Sequence, residues 1–442
     1  MQEWLWASAA ELGRGIGAGR IDPVALTQTY LDAIAAHPMT PRIYARVTAE
    51  RALAEARAAA ARAASGLRRG PLDGVPVSWK DNFDTTGIAT EAGTALMAGR
   101  RPDRDAQVLA NATAAGLVCL GKTHMSEIAF SGLGYNPTTA TPPCINDAEA
   151  VPGGSSSGAA ASVAHGLAAA AVGSDTGGSV RIPAAWNDLV GLKTTHGRLS
   201  LEGVVPLCLT FDTVGPLTRT VEDAALMLSA LEGARAPDLD GTALAGSRLM
   251  VLETVAMDEL ESTPAAAFDS AVARLERAGA TIERRALPLV TRAMDLAAIL
   301  FATDAYALWR PLVESAPDKM YDRILERIRA GATVSAADYI AGWSALRALR
   351  ADWAAEVAGF DAVIMPTAPI MPPKVDRLVT DEPYYKAANL LTLRNTRIGN
   401  LMGGCALTLP SGTPSCGIML NAPAGGEAGL LRLGAAVAAV LA

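Results

Sequence analysis

The chain has 442 residues, of which 38 are Lys or Arg and 45 are Asp or Glu, so its formal net charge is −7. This acidic balance gives no basic surface of the kind that binding to nucleic acid requires. Half of the residues are hydrophobic and 19% are charged, which favours a globular protein with a large core over a disordered or fibrous one.

The cysteines and the apolar segments predict a compartment. Five cysteines, an odd number without a C-x-x-C pair, predict neither a disulfide framework nor a zinc site. The N-terminal segment lacks the basic start and apolar core of a signal peptide. The most apolar stretches, around 158–173 and 430–442, are interrupted by His165 and Arg432 and are shorter than the about 18 residues of a membrane span. We therefore expect a cytoplasmic protein without membrane contact.

In chain order, the first predicted elements are helices over about 8–65, which we expect to cover the elements that follow them. Segment 71–80 then reads as a turn running into a short strand that ends at Lys80, because Gly and Pro punctuate it and Val75, Val77 and Trp79 alternate. The pattern continues with helix 105–115, strand 117–120, a loop over 131–154, helix 158–167 and an apolar run over 168–172. This alternation of strand and helix is typical of an α/β fold.

The second half of the chain continues the pattern with one interruption. Helices are predicted over 221–231 and 265–278, and strands over 248–252, 281–284, 361–365 and 405–410, before a last helix. Between them, 293–357 is helical without an obvious strand and would form a lid or flank. No repeat or low-complexity linker divides the sequence. We therefore expect a single domain over 1–442.

One match to a known motif, the phosphate-binding loop, lacks the secondary structure that this motif requires. Residues 116–123, GLVCLGKT, satisfy the phosphate-loop pattern G-x-x-x-x-G-K-[ST] letter for letter. A phosphate loop follows a strand, whereas here Gly116 closes a predicted helix and 117–120 is itself the predicted strand. Nucleotide binding is therefore disfavoured.

A second match, the G-x-S-x-G elbow at 154–158 with Ser156 as nucleophile, also lacks its context. The elbow needs a preceding strand, but 141–153 contains three prolines. Only His165 and His196 follow as bases for a Ser-His-Asp hydrolase. None of the four histidines pairs at a metal-ligand spacing, so we expect no metal and no cofactor.

The strongest signal lies between residues 152 and 198. It contains PGGSSSGAAASVAHG, VGSDTGGSVRIPA and GLKTTHGR, which include two Gly-flanked serine clusters separated by an Ala-rich helix. Glycine clusters let successive backbone N–H groups converge on one point, which is how an oxyanion is held. The alternative is a pair of Gly/Ser turns that cap a helix.

These runs, together with the upstream GVPVSWKD, resemble the amidase signature family. The resemblance is strongest over about 71–223, which would form the signature core, and it implies an α/β/α sandwich around a large central mixed β-sheet. Ser157, Thr194 and the pair Asn187-Asp188 depart from the usual family pattern. None of them removes a catalytic group, but they indicate a side branch of the family.

The resemblance implies a role for individual residues. Ser179 would be the nucleophile, Ser155 the serine of a cis peptide bond, and Lys80 the base, with Ser156 as a supporting hydrogen-bond partner. An oxyanion hole would be formed by the backbone N–H groups of Thr176, Gly177, Gly178 and Ser179.

The residue types fit this chemistry independently. A serine hydroxyl needs a base, and lysine can act as one only as the neutral amine. The pKa of Lys80 must therefore fall from its usual value of about 10.4, which burial can achieve. Asp175 and Arg181 flank the nucleophile, and we expect them to pair and support its turn rather than touch the substrate.

We therefore predict a serine amidohydrolase of small amides, with esters or carbamates as alternative substrates, that acts as a monomer or homodimer without contacting nucleic acid or membrane. Loop 125–151 and the helical region 293–357 would select the substrate. An apolar pocket could be lined there by Trp309, Met320, Tyr321 and Trp343. The main alternative is the glutaminase component of a tRNA-dependent amidotransferase, whose partners would bind the nucleic acid. A catalytically inactive binding protein is disfavoured because Lys80, Ser155 and Ser179 are all present.

Overall fold

The computed structural model of the chain describes residues 2–442, which form one mixed sheet of 11 strands covered by helices. The strands are β1 Tyr44–Val47, β2 Pro76–Lys80, β3 Val118–Thr123, β4 Ala170–Asp175, β5 Val190–Lys193, β6 Thr213–Thr218, β7 Arg248–Leu252, β8 Thr281–Arg285, β9 Ala362–Pro366, β10 Cys405–Pro410 and β11 Gly417–Ala422. The helices are α1 Ala9–Gly17, α2 Pro23–Ala36, α3 Thr40–Ile43, α4 Ala49–Ala64, α5 Gln107–Ala114, α6 Ser157–Ala164, α7 Arg181–Trp186, α8 Val221–Glu232, α9 Ser262–Arg277, α10 Leu289–Asp295, α11 Ala297–Ser315, α12 Asp322–Arg329, α13 Ala336–Val357, α14 Val375–Thr380, α15 Glu382–Met402 and α16 Glu427–Leu441. The predicted α/β fold is confirmed.

The sheet topology determines where the strands of the lysine and serine motifs end. Across the sheet the order is β1-β3-β2-β4-β6-β5-β10-β11-β9-β7-β8. β2 runs parallel to both β3 and β4, whereas β4 pairs antiparallel with β6. Lys80 ends β2 and Asp175 ends β4. The two residues therefore lie at the same edge of the sheet, where the carboxyl ends of parallel strands meet.

Alternate side chains of a strand enter two different cores, which makes the molecule a sandwich. In β7, Leu249 and Val251 pack into one core, and Met250 and Leu252 into the other. Strand residues alternate between faces, so both faces of the sheet are covered. The first core also receives side chains from α1, α2, α8, α9 and α16, and the second from α10, α11, α13 and α15.

Four strands that complete the sheet are absent from the prediction: β1, β5, β6 and β11. β1 lies within the region 8–65 that was predicted to be mostly helical, and the helix that follows it, α4, begins at Ala49. β6 contains Gly215 and Pro216, which usually argue against a central strand. Tertiary pairing with β4 and β5 overrides these local preferences. The long helix α15 was also not predicted.

The helical region over 293–357 is helical as predicted and consists of separate pieces. Its first part, Leu289–Ser315, is apolar and long enough to cross a membrane, with a mean hydropathy of 1.3. It is interrupted at Leu296 into α10 and α11. Val290 of α10 and Leu300 of α11 pack into the second core. This segment therefore covers one face of the sheet.

Gly215 in β6 offers a direct test of the strand pairing. A Cβ atom at this position would lie 1.9 Å from the carbonyl oxygen of Leu192 in β5. We expect Gly215→Ala to lower the free energy of unfolding by about 2 kcal/mol or more, because backbone atoms would have to separate. Urea denaturation measures this change.

Gly429 in α16 supplies the matched control, since a Cβ atom there meets nothing within 4 Å. Gly429→Ala should leave stability unchanged or raise it slightly, because alanine is the better helix former. Equal stability of the Gly215→Ala and Gly429→Ala variants would contradict the pairing of β5 and β6.

Candidate active site

A buried lysine occupies the end of β2. The side chain of Lys80 is 0% exposed, and its Nζ lies 2.7 Å from Ser155 Oγ and 2.8 Å from Ser174 Oγ. Asn82 donates a hydrogen bond of 3.0 Å from Nδ2 to Ser174 Oγ, which leaves the hydroxyl hydrogen of Ser174 free to point at the amine. Lys80 and Ser155 therefore meet. Sequence reasoning missed both Ser174, which lies within VGSDTGGSVRIPA, and Asn82, which directly follows GVPVSWKD.

The surroundings of Lys80 favour the neutral amine. Burial lowers the pKa of Lys80 to about 7, although the charges of Asp212 and Asp175 act in the opposite direction. Among residues 2–442, Lys80 forms no ion pair, whereas the buried Lys122 pairs with Asp81. A substantial fraction of Lys80 is therefore unprotonated near neutral pH.

The Gly/Ser segment before α6 brings Ser155 and Ser156 to this edge of the sheet. The peptide bond between Gly154 and Ser155 is cis. Ser156 donates its backbone N–H to the carbonyl oxygen of Ser179 at 3.1 Å, and its hydroxyl donates to the carbonyl oxygen of Ser174 at 3.3 Å. Ser156 thus joins the Gly/Ser segment to the turn that carries Ser179.

Asp175 organises the turn between β4 and α7. Its carboxylate accepts the backbone N–H groups of Gly178 at 2.9 Å and Val180 at 3.1 Å. Arg181 donates to the two carboxylate oxygens from Nε at 3.0 Å and from Nη2 at 2.9 Å, and Asn400 donates at 3.0 Å. Burial alone would raise the pKa of Asp175, but the adjacent Arg181 guanidinium holds it well below its usual range. An ionised carboxylate therefore fixes the backbone around Ser179.

The turn leaves a set of backbone amides unpaired beside Ser179. Within residues 2–442, the N–H groups of Thr176, Gly177 and Ser179 donate to no acceptor. Gly178 differs from the other three predicted oxyanion donors, because its N–H donates to Asp175. Gly178 has φ +135°, and a Cβ atom there would lie 2.1 Å from Thr396 Oγ1. Its contribution is the shape of the turn.

The Ser179 side chain opens onto a cavity and has no hydrogen-bond partner in the described part of the chain. Ser179 is 3% exposed, and its hydroxyl makes no hydrogen bond within the described part of the chain, including with Ser155. The cavity has a volume of about 30 Å³ and is lined by Ala129, Phe130, Ser131, Thr176, Gly177, Ser179, Leu207, Phe301, Arg327, Leu393 and Arg397. A larger depression of about 570 Å³ lies elsewhere, along 69–72 and 226–236, and contains none of these residues.

The cavity lining only partly follows the predicted specificity regions. Loop 125–151 supplies three lining residues, and the helical region 293–357 supplies two. Trp309, Met320, Tyr321 and Trp343 do not line it. Trp309 instead donates to the carbonyl oxygen of Pro206 at 3.0 Å, and Trp343 stacks on Phe211. Packing in the second core uses their apolar surfaces.

Asp212 is a site residue that sequence reasoning did not find. One carboxylate oxygen accepts the Thr176 hydroxyl at 2.5 Å, and the other accepts the N–H groups of Leu207 at 2.8 Å and Cys208 at 3.0 Å. Burial raises the pKa of Asp212 to about 6, and the charge of Lys80 lowers it. Asp212 lies in no recognisable motif and reaches the site through the pairing of β6 with β4.

The phosphate-loop match is a strand in the structure. Gly121 and Lys122 lie within β3, and Lys122 is 0% exposed. Its Nζ donates to the carbonyl oxygen of Phe83 at 2.5 Å and to Thr90 Oγ1 at 3.0 Å. A lysine held in this way cannot reach a phosphate, which agrees with the exclusion drawn from the sequence.

Known proteins are similar to this chain along nearly its entire length. The Amidase family profile matches residues 25–431. The 2-amino-5-chloromuconic acid deaminase of Comamonas testosteroni is 35% identical over 98% of this chain and 97% of its own length. The A subunit of the glutamyl-tRNA(Gln) amidotransferase of Thermobifida fusca is 32% identical over 100% of this chain and 97% of its own.

A solved structure described as an amidase superposes on the chain with a TM-score of 0.88 at 30% identity. The match covers 99% of this chain and 100% of that one. The family profile, the full-length relatives and the fold all indicate the same family as the motifs that form the site. The chain therefore belongs to the amidase family and is an enzyme that hydrolyses carbon–nitrogen bonds of amides.

Proposed function

We propose that the chain is a serine amidohydrolase of small amides in which Ser179 is the nucleophile, Ser155 relays the proton and Lys80 is the base. One observation carries the proposal: the buried Nζ of Lys80 lies 2.7 Å from Ser155 Oγ and has no carboxylate partner within residues 2–442. An ion-paired lysine would stay protonated, whereas this one can accept a proton near neutral pH.

The reaction then proceeds through an acyl-enzyme. Ser179 Oγ attacks the amide carbonyl carbon while its proton passes to Ser155 and the Ser155 proton passes to the neutral amine of Lys80. The N–H groups of Thr176, Gly177 and Ser179 stabilise the oxyanion. The C–N bond breaks, and the departing nitrogen takes the proton back. Water attacks the acyl-enzyme by the same relay, which releases the acid and restores the Ser179 hydroxyl.

The narrow cavity at Ser179 supports a small substrate. Esters and carbamates can follow the same route, since each has a carbonyl carbon and a leaving group that one proton assists. The Comamonas relative is named for a deaminase of an organic acid, which also supports a small molecule. We further propose that the chain acts in the cytoplasm, as a monomer or homodimer of one domain, without a cofactor and without contacting nucleic acid or membrane.

The glutaminase component of a tRNA-dependent amidotransferase is the second candidate. The full-length similarity to the Thermobifida fusca protein supports it. The same catalytic groups would release ammonia from glutamine, but only within a complex. Activity of the isolated chain separates the two candidates.

We expect the purified chain alone to hydrolyse small primary amides, and Ser179→Ala to lower kcat/KM by at least about a thousandfold, because no other hydroxyl replaces the nucleophile. Ammonia release from a panel of aliphatic amides, carbamates and glutamine measures this. Ser200 is exposed and does not line the cavity, so Ser200→Ala is the control and should retain full activity. Turnover of glutamine only after partner proteins are added would favour the second candidate.

The pH dependence follows from the protonation of Lys80. The neutral amine is the active form and its pKa is about 7, so kcat/KM should rise about tenfold per pH unit below that value and level off above it. Lys80→Met should lose activity by several powers of ten at every pH. Lys319 is exposed, and Lys319→Met should keep the wild-type profile. A rate that falls as pH increases from 5 to 8 would rule out Lys80 as the base.

The charge of Asp212 should affect the pH at which kcat/KM rises. Its negative charge raises the pKa of Lys80, and with its own pKa near 6 it is largely ionised where Lys80 titrates. Asp212→Asn removes that charge, so the rise in kcat/KM should move to lower pH, by about one unit or less. Measured kcat/KM from pH 5 to 9 shows the shift. An unchanged midpoint, or a shift to higher pH, would contradict the electrostatic coupling.

A further inference from the structure

Two arginines line the cavity that opens at Ser179 and lack an acidic partner. Arg327 comes from α12 and Arg397 from α15, and both are half-buried. Within residues 2–442, neither guanidinium forms an ion pair. The proposed mechanism uses neither of them.

Other enclosed arginines of this chain meet either an acid or neutral oxygen acceptors, and Arg219, for example, donates to five backbone carbonyl oxygens. Arg181 meets Asp175 at 2.9 Å, and Arg198 meets Glu427 at 2.6 Å. Removing a charge from water without a partner is costly, and two like charges side by side add repulsion. Arg397 is therefore an exception, because within residues 2–442 it has neither an acid nor a hydrogen-bond acceptor, and an anionic substrate would supply one.

The two cations remain charged under ordinary conditions. Burial lowers the pKa of Arg327 to about 10, and burial together with the charge of Arg327 lowers that of Arg397 to about 9. Both values still leave the guanidinium protonated at pH 7. The cavity is thus locally positive in a chain whose net charge is −7. An anion placed between them would relieve both the repulsion and the lost hydration.

Contacts hold both side chains in place, but most of their guanidinium N–H donors have no acceptor within residues 2–442. Arg327 donates from Nη1 to the carbonyl oxygen of Phe130 at 3.0 Å and lies over the Phe130 ring, 4.3 Å from its centre. Arg397 makes no hydrogen bond within the described residues and lies 5.9 Å from the centre of the Phe301 ring. Guanidinium donors that remain free match the two oxygens of a carboxylate.

We propose that Arg327 and Arg397 bind a carboxylate of the amide substrate, so that the enzyme selects monoamides of short dicarboxylic acids over neutral amides. This proposal rests on the proposed amidase function. A primary amide loses only ammonia, so the carboxylate belongs to the acyl part, whose carbonyl lies against the amides of Thr176 and Gly177. The narrow, partly aromatic lining favours a flat carboxylate on a short carbon chain over a bulkier phosphate.

Matched substrates test the preference. Succinamate, glutaramate and adipamate each carry one amide and one carboxylate, and the corresponding diamides have the same shape without the charge. For at least one chain length, wild-type kcat/KM per amide should be about tenfold or more higher for the monoamide. Arg397→Gln should reduce that value about 10- to 100-fold, mainly by raising KM, and change the diamide value by less than about threefold.

Arg329 supplies the control, because it lies on the same helix as Arg327 but is exposed and meets Glu314 at 2.7 Å. Arg329→Gln should leave both substrates unaffected, and Arg397→Lys should recover part of the preference because it restores the charge. Equal wild-type rates for monoamides and diamides would overturn the proposal while leaving the amidase function intact. Equal losses for both substrates in Arg397→Gln would also overturn it.

A binding measurement separates this proposal from the catalytic one. Calorimetry with the Ser179→Ala variant should detect glutarate but not glutaramide, and Arg397→Gln in that background should remove the binding. This result would support the carboxylate site even if wild type hydrolysed none of the amides, which would count against the amidase assignment alone. Binding of inorganic phosphate as tight as that of glutarate, or no binding of glutarate, would overturn the carboxylate site.

Discussion

The active site depends on one lysine amine that is buried away from water and forms no ion pair with a carboxylate within residues 2–442. Lys80 is enclosed at the end of a central strand, where its amine contacts two serine hydroxyls instead of an acid. The contrast with Lys122 is informative, because that lysine is equally buried but pairs with Asp81. Burial therefore does not by itself make a lysine a base. Lys80 differs from Lys122 in having two serine hydroxyls as partners: the parallel pairing of β2 with β4 brings Ser174, and the segment before α6 brings Ser155.

Asp175 fixes the turn in a conformation that leaves neighbouring backbone N–H groups without an intramolecular acceptor. A turn with unpaired N–H groups would close on itself unless something else fixed it. The carboxylate does so by accepting the amides of Gly178 and Val180 and by pairing with Arg181, so the neighbouring amides stay available. Because Asn400 also donates to this carboxylate, α15 is tied to the same turn.

Local patterns predicted the strand that ends at Lys80 and the apolar run over 168–172 that precedes the Gly/Ser turn, because these stretches combine glycine turns with short apolar runs. They could not predict β6, whose Gly215 and Pro216 argue against a strand until β4 and β5 pair with it. Asp212 was missed for the same reason, since it arrives with β6. Arg327 and Arg397 stand on helices that look like ordinary amphipathic cover, and only the tertiary fold brings them to one cavity.

Helix α15 carries two neighbouring residues, Thr396 and Arg397, with different structural roles. Thr396 donates its hydroxyl to the carbonyl oxygen of Gly177 at 2.7 Å, while Arg397 faces the cavity. Successive helix positions point about 100° apart, so one backbone segment serves the turn and the pocket at once. The helix therefore cannot slide outward for a longer substrate without pulling on Gly177. Room for a larger substrate would therefore have to come from smaller side chains on α12 or from a different conformation of loop 125–151, while α15 stays in place.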